Sequence, residues 1–181
     1  MLPSSSRMIK RMVSKKLMPY AYLDYKLVDW TIKTIDAFFI HDVTPKVGSI
    51  VYCNLALVAE HTGIYVGDNK IIHLNGSGLV EMVSAEMFCD RLHGRNPSFT
   101  IFCPVDYDGK PIGDKRTAEY AISSLGRHLD YNLAFRNCHC FSASCLERKN
   151  RVCPSFNALE ILITENFGKY HWRASNLTHK H

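Results

Sequence analysis

No stretch of this sequence approaches the roughly eighteen uninterrupted apolar residues that a membrane-spanning helix needs. The best candidates, Ala37 to Ile40 and Leu159 to Ile163, are short and bounded or interrupted by polar and charged residues. A transmembrane anchor is therefore not expected. A secretory signal is disfavoured as well, because no apolar segment follows the N-terminal positive charges. There is no internal repeat and no paired C-x-x-C spacing, so neither a repeat array nor a common zinc site is indicated. The first 22 residues lack acidic side chains altogether but hold Arg7, Lys10, Arg11, Lys15 and Lys16, which is the whole net charge of +5. The remainder balances seventeen basic against seventeen acidic residues, which argues against a broad nucleic-acid surface. For the arm itself three readings stay open, in order of preference: a disordered tail, a transient contact with anionic membrane lipids, or an organellar targeting peptide.

What is present is a chain of 181 residues, 46% apolar, enough for one domain with a sizeable core. Its seven cysteines (Cys53, Cys89, Cys103, Cys138, Cys140, Cys145, Cys153) are odd in number and follow no small-domain disulfide pattern. A reducing, cytoplasmic location with at most peripheral membrane contact fits best. Most of these thiols are expected to be small buried hydrophobes.

Residues 23–44 read as an amphipathic helix packed on the domain, since Val28, Ile32, Ile35 and Phe39 recur at helical spacing. Strand-favouring residues from Ser49 to Leu57 come next, then His61–Val66 and Lys70–Asn75 around Gly67-Asp68-Asn69, a β-hairpin. With a three-residue loop, His61 and His73 share a sheet face one diagonal step apart; a two-residue loop places them on opposite faces. Leu79–Val83 and Phe99–Val105 read as further strands. Helices are expected after Ser84, from Asp114 to about Arg127 with Ala118, Ala121, Ile122 and Leu125 inward, from Cys138, and after Ser155 as far as Gly168. The domain is expected to span 45–172, with a polar, frayed tail over 173–181.

A cysteine in the first turn of a helix sits where unpaired N–H groups and the helix dipole favour negative charge, so Cys138 is a candidate nucleophile. The same N–H groups are suited to an oxyanion. A thiol enzyme also needs a proton carrier. His61 is placed for that by pattern, with His73 to orient its ring. The rival readings are satisfied polar residues on a sheet face for the histidines, a core residue for Cys138, and a metal cluster built from Cys138-His139-Cys140 with Cys145 and Cys153. No metal and no cofactor are expected.

The stretches Glu60-His61-Thr62-Gly63-Ile64-Tyr65-Val66-Gly67-Asp68-Asn69-Lys70-Ile71-Ile72-His73-Leu74 and Asp130-Tyr131-Asn132-Leu133-Ala134-Phe135-Arg136-Asn137-Cys138-His139-Cys140-Phe141 resemble the lecithin:retinol acyltransferase family over roughly residues 45–146. That resemblance implies an α+β fold, a small antiparallel sheet packed against helices in a circularly permuted NlpC-like and papain-like order. It also implies a Cys138 nucleophile, a His61 base and a His73 orienter. Where family members commonly read Asn-Cys-Glu-His-Phe, this chain has His139 and Cys140 in place of the Glu and His. The C-terminal hydrophobic anchor of animal members is not found. The activity expected is transfer or hydrolysis of acyl groups from a lipid acyl donor through a thioester. The alternatives are a cysteine peptidase or amidase acting on an amide, and a non-catalytic interaction protein on the same fold. No nucleic-acid partner is expected.

Overall fold

The computed structural model describes residues 43–55, 59–90, 100–130 and 137–178. The basic arm of residues 1–22 and nearly all of the helix expected over 23–44 lie outside them.

Six strands form one open antiparallel sheet: β1 (Ile50–Leu55), β2 (Ala59–Gly67), β3 (Lys70–Leu74), β4 (Val80–Ser84), β5 (Ile101–Val105) and β6 (His171–Ala174), in the order β4-β3-β2-β1-β5-β6. Four helices accompany them among the described residues: α1 (Ala85–Cys89), α2 (Lys115–Ser123), α3 (Cys138–Glu147) and α4 (Phe156–Phe167). This is the expected α+β class.

Because side chains alternate across a pleated strand, each central strand feeds two cores. On one face Ile50, Ile64, Ile72, Leu74 and Val80 pack with Ala118 and Ala121 of α2, with Cys140, Phe141, Ala143, Cys145 and Leu146 of α3, and with Leu159, Leu162 and Ile163 of α4. Tyr52 extends this layer through stacking on Phe102 and edge contacts with Phe156 and Trp172. On the other face Val51, Cys53, Tyr65, Ile71 and Val83 pack with Phe88 and Cys89 of α1. The central helix α3 is buried on nearly all sides, eight of its ten residues being buried, which is why its sequence is apolar and small rather than amphipathic.

The β2–β3 hairpin reaches the three-residue register by a different route. Gly67 pairs with Lys70, so the turn has only two central residues, Asp68 and Asn69, both with positive φ as this tight hairpin turn demands. One residue of β2 is then skipped between Tyr65 and Gly67, and the ladder resumes as Tyr65 with Ile71 and Ile64 with Ile72. That bulge restores the parity a two-residue loop would have lost. His61 and His73 consequently share a face.

Two expectations are corrected. Helix α2 stops at Ser123, well before Arg127, and Ile122 and Leu125 are 48% and 37% exposed; Thr117, Ala118 and Ala121 form the inward face. The chain after Trp172 does not fray at once. Arg173 and Ala174 complete β6 against Cys103 and Phe102, and a short 3-10 turn, Asn176–Thr178, follows.

Candidate active site

Asn137 begins the site. Its backbone is extended, and its side-chain oxygen accepts hydrogen bonds from the N–H groups of His139 (3.0 Å) and Cys140 (3.1 Å), closing the N-terminus of α3. Its amide nitrogen donates to the Pro154 carbonyl at 3.0 Å, which pins this helix end to the segment before α4. Cys138 is thereby fixed as the first residue of α3, with its thiol 3.9 Å from the Glu60 carbonyl and 4.0 Å from Nδ1 of His139. The cap engages two of the first-turn N–H groups that the sequence offered to an oxyanion.

The hairpin delivers the imidazole pair. His61 Nε2 lies 3.0 Å from His73 Nδ1. Both are buried, and the Phe88 ring packs on them at centroid distances of 4.9 and 5.6 Å. Gly63 stands directly across from His73 in this register, and any side chain there would meet Ile71, the Ile72 carbonyl and Phe88 within 3.0 Å. Behind His73, its cross-strand partner Glu81 brings a carboxylate oxygen to 3.3 Å from Nε2. With both rings neutral, the donors order themselves in one way. His73 Nε2–H donates to Glu81, His61 Nε2–H donates to His73 Nδ1, and Nδ1 of His61 is then its acceptor nitrogen.

The sheet pleat turns neighbouring side chains of β2 to opposite faces. His61 and His73 project to the α1 face, whereas Thr62, between His61 and Gly63 on β2, projects to α3. There Thr62 Oγ1 lies 3.3 Å from His139 Nδ1 and accepts a hydrogen bond from Ser142 at 3.0 Å. Of the three residues expected from the sequence, the structure brings His61 and His73 together, and the Cys138 thiol lies against the Glu60 carbonyl and the Thr62 N–H, the backbone groups on either side of His61.

The family model described as Lecithin retinol acyltransferase matches residues 43–151. The chain belongs to that family. No curated protein matches it. The family is enzymatic and of acyltransferase type, so the matched span, which contains both the hairpin and the Asn-Cys helix start, holds an acyl-transfer or acyl-hydrolysis domain.

In this member of the acyltransferase family, the electrostatics of the cysteine differ from the sequence expectation. Cys138 is only 6% exposed, and burial pushes its thiol above the usual thiol range. The N–H and hydroxyl of Thr62 and the N–H groups of His139 and Cys138 oppose that shift by favouring the thiolate, but desolvation is the larger effect. Burial likewise holds His139 below the ordinary histidine value, with Glu60 pulling the other way. Among the remaining thiols, Cys140 accepts the Cys153 N–H at 3.1 Å and contacts its carbonyl at the same distance, a packing role.

Sequence reasoning missed Glu81, Thr62, Ser142 and the contact made by His139. Signals for two of them were present. Ser142 lies four residues after Cys138, hence on the same face of a helix. Glu81 falls opposite His73 once the third strand is paired with the second.

Proposed function

We propose that this protein is a cysteine-dependent acyltransferase or acyl hydrolase that takes its acyl group from a lipid ester through a thioester on Cys138. His61 acts as general base, and His73 holds its ring. The observation that carries the reading is the capped N-terminus of α3, which presents Cys138 against β2 at Glu60, the residue before His61. Sulfur attacks the ester carbonyl carbon, the tetrahedral intermediate collapses with loss of the alcohol, and the resulting thioester is passed to an amine, an alcohol or water. The Glu81–His73–His61 chain supports the base role, because it holds the His61 ring in one orientation and steadies the imidazolium that forms there. In this reading the Glu81 carboxylate holds His73 in its orienting role. Burial favours the neutral thiol, so a base is needed to take its proton.

Intact-mass measurement after incubation with mixed phospholipid vesicles and, separately, with a peptide panel tests this. A fatty-acyl increment on the wild type that is absent from Cys138→Ala is expected. An increment that survives Cys138→Ala would sink the nucleophile assignment, and adducts from peptides alone would replace the ester reading with an amidase one.

A further inference from the structure

The family match ends at residue 151, and the chain beyond it brings two aromatic rings to the nucleophile's end of α3. Asn137, the cap before Cys138, donates to the Pro154 carbonyl, and two residues further on Phe156 opens α4. The Phe156 ring lies 5.8 Å from the ring of His139, whose Nδ1 is 4.0 Å from Cys138 Sγ. Trp172 of β6 stacks on Phe156 with centroids 5.6 Å apart and planes at 25°. Both rings stand edge-on to Tyr52, at 4.8 and 4.7 Å, and Tyr52 is buried against Phe102 beneath them. The indole N–H donates to Glu160 Oε1 at 2.9 Å, which satisfies the only polar atom in the side chains of Phe156 and Trp172. Both side chains nevertheless remain partly exposed. A small apolar surface, fixed by its own packing, therefore begins one ring away from the sulfur. With His139 standing where the family commonly has Glu, this wall is built from positions particular to this chain.

We propose that Phe156 and Trp172 form the subsite for the hydrocarbon chain of the acyl donor and select long chains over short ones; this rests on Cys138 being the nucleophile toward a lipid ester. With the ester carbonyl at Sγ, the chain has to leave the sulfur along one of the walls around it. Towards β2 that wall is polar, with the Glu60 carbonyl and the Thr62 N–H and hydroxyl against the thiol, and a hydrocarbon there would cut polar groups off from water. Towards α4 it is the line from His139 to Phe156 to Trp172, whose rings a hydrocarbon can cover at no such cost. The carbons next to the carbonyl meet His139 and Phe156, and only a chain longer than a few carbons reaches Trp172. Because packing already holds the rings, little ordering accompanies the contact. Each methylene that leaves water for the rings adds to binding, so kcat/KM for acylation rises with chain length until the wall is covered.

The test compares p-nitrophenyl butyrate with p-nitrophenyl decanoate on the full chain, reading the rate of Cys138 acylation by peptide mass. Wild type is expected to prefer the decanoate. Trp172→Ala should lower the decanoate-to-butyrate ratio at least about tenfold, the scale set by a few buried methylenes, and Trp172→Phe should keep most of the preference. The ratio is taken within one sample, so a loss of folded protein cancels out of it. A ratio unchanged in Trp172→Ala, or a wild type indifferent to chain length, overturns the proposal. Should Trp172→Ala not fold, fluorescence decides. In Trp30→Phe the sole remaining tryptophan is Trp172. Acylation by the decanoate ester brominated at its last carbon should quench its emission, and the butyrate ester brominated likewise should not. Emission untouched by the long chain, or quenched equally by both, overturns the assignment. An adduct that persists in Cys138→Ala, or none from either ester, removes the nucleophile reading and this proposal with it; an adduct confined to Cys138, with a ratio indifferent to Trp172, removes this proposal alone.

Discussion

Gly63 faces His73 across the β2–β3 ladder, and its missing side chain makes room for the histidine pair. A Cβ there would lie 2.7 Å from Ile71 Cγ2, 3.0 Å from the Ile72 carbonyl oxygen and 3.0 Å from the Phe88 ring. Two of those neighbours are backbone or a buried ring, so the clash cannot be relieved by one flexible side chain. Gly63→Ala is therefore expected to cost about 1–3 kcal/mol, the usual penalty for overpacking a dense interior, and to push Phe88 off the imidazoles. Urea denaturation measures the first effect, and loss of acyl-adduct formation under folding conditions reports the second; an unchanged midpoint would contradict the packing argument. At this scale the sequence was informative about residue type and spacing. His61, His73 and Cys138 were singled out because their chemistry is scarce and their spacing is periodic. His139 was noted only as a departure from the family pattern, since nothing in its spacing says that Thr62, seventy-seven positions away, would meet it.

Helix α3 combines two roles that usually belong to separate elements, core packing along its length and chemistry at its first residue. Its buried flank holds Cys138 in one place, and Asn137 determines where the helix starts. Asn137→Ala would orphan the N–H groups of His139 and Cys140 and release the tie to Pro154, so a loss of about 0.5–2 kcal/mol is expected. Asn137→Asp keeps the acceptor oxygen and should recover much of the capping, though not the Pro154 bond. Thermal melts of the three proteins check the ordering, and an alanine variant as stable as wild type would refute it. Cap chemistry is local, which is why Ser84, Asp114, Asn137 and Ser155 were legible in the sequence as helix starts and each accepts a first-turn N–H in the structure. Strand β6 was not legible. Four residues, His171 to Ala174, carry no alternation strong enough to announce a strand; their pairing with β5 is decided by contacts with residues far back in the chain.

For the whole molecule, the charge map and the buried titratable groups act at different pH. The described domain buries all seven thiols, and burial raises Cys103 from 9.0 to about 12 and Cys153 to about 11, with Cys138 and Cys145 shifted the same way. A thiol with a higher value in the folded state stabilises the fold below its unfolded value and loses that contribution as pH rises through the folded one. His139 is shifted down from 6.5, so its contribution is present above 6.5 and is lost as pH falls through the lower folded value. Stability is thus expected to hold between the unfolded values of 6.5 and 9.0 and to decline on either side. Urea midpoints measured across pH would show this, and a midpoint that climbs above pH 9.0 would contradict it. The fold class was readable at this scale because hairpin, strand and cap signals agreed. The packing of α1 and α3 on opposite faces of the sheet was not, because it depends on contacts made only once the strands are assembled.

The unpaired residue in β2, Val66, gives the hairpin a tolerance to changes of length that the rest of the strand lacks. A chain without Val66 would close the same Asp68-Asn69 turn, run straight from Gly67 to Tyr65, and still set His61 beside His73. Deleting one residue between His61 and Tyr65 instead would carry His61 to the α3 side of the sheet, unless the ladder absorbed the gap by drawing Val66 into register. Single-residue deletions along this hairpin should therefore be unequal in effect: mild at the bulge, and severe or rescued only through Val66 elsewhere. In a lineage that gains and loses codons, that one residue is slack, and it lies where the distance between two histidines along the chain has to be kept in step with the pleat.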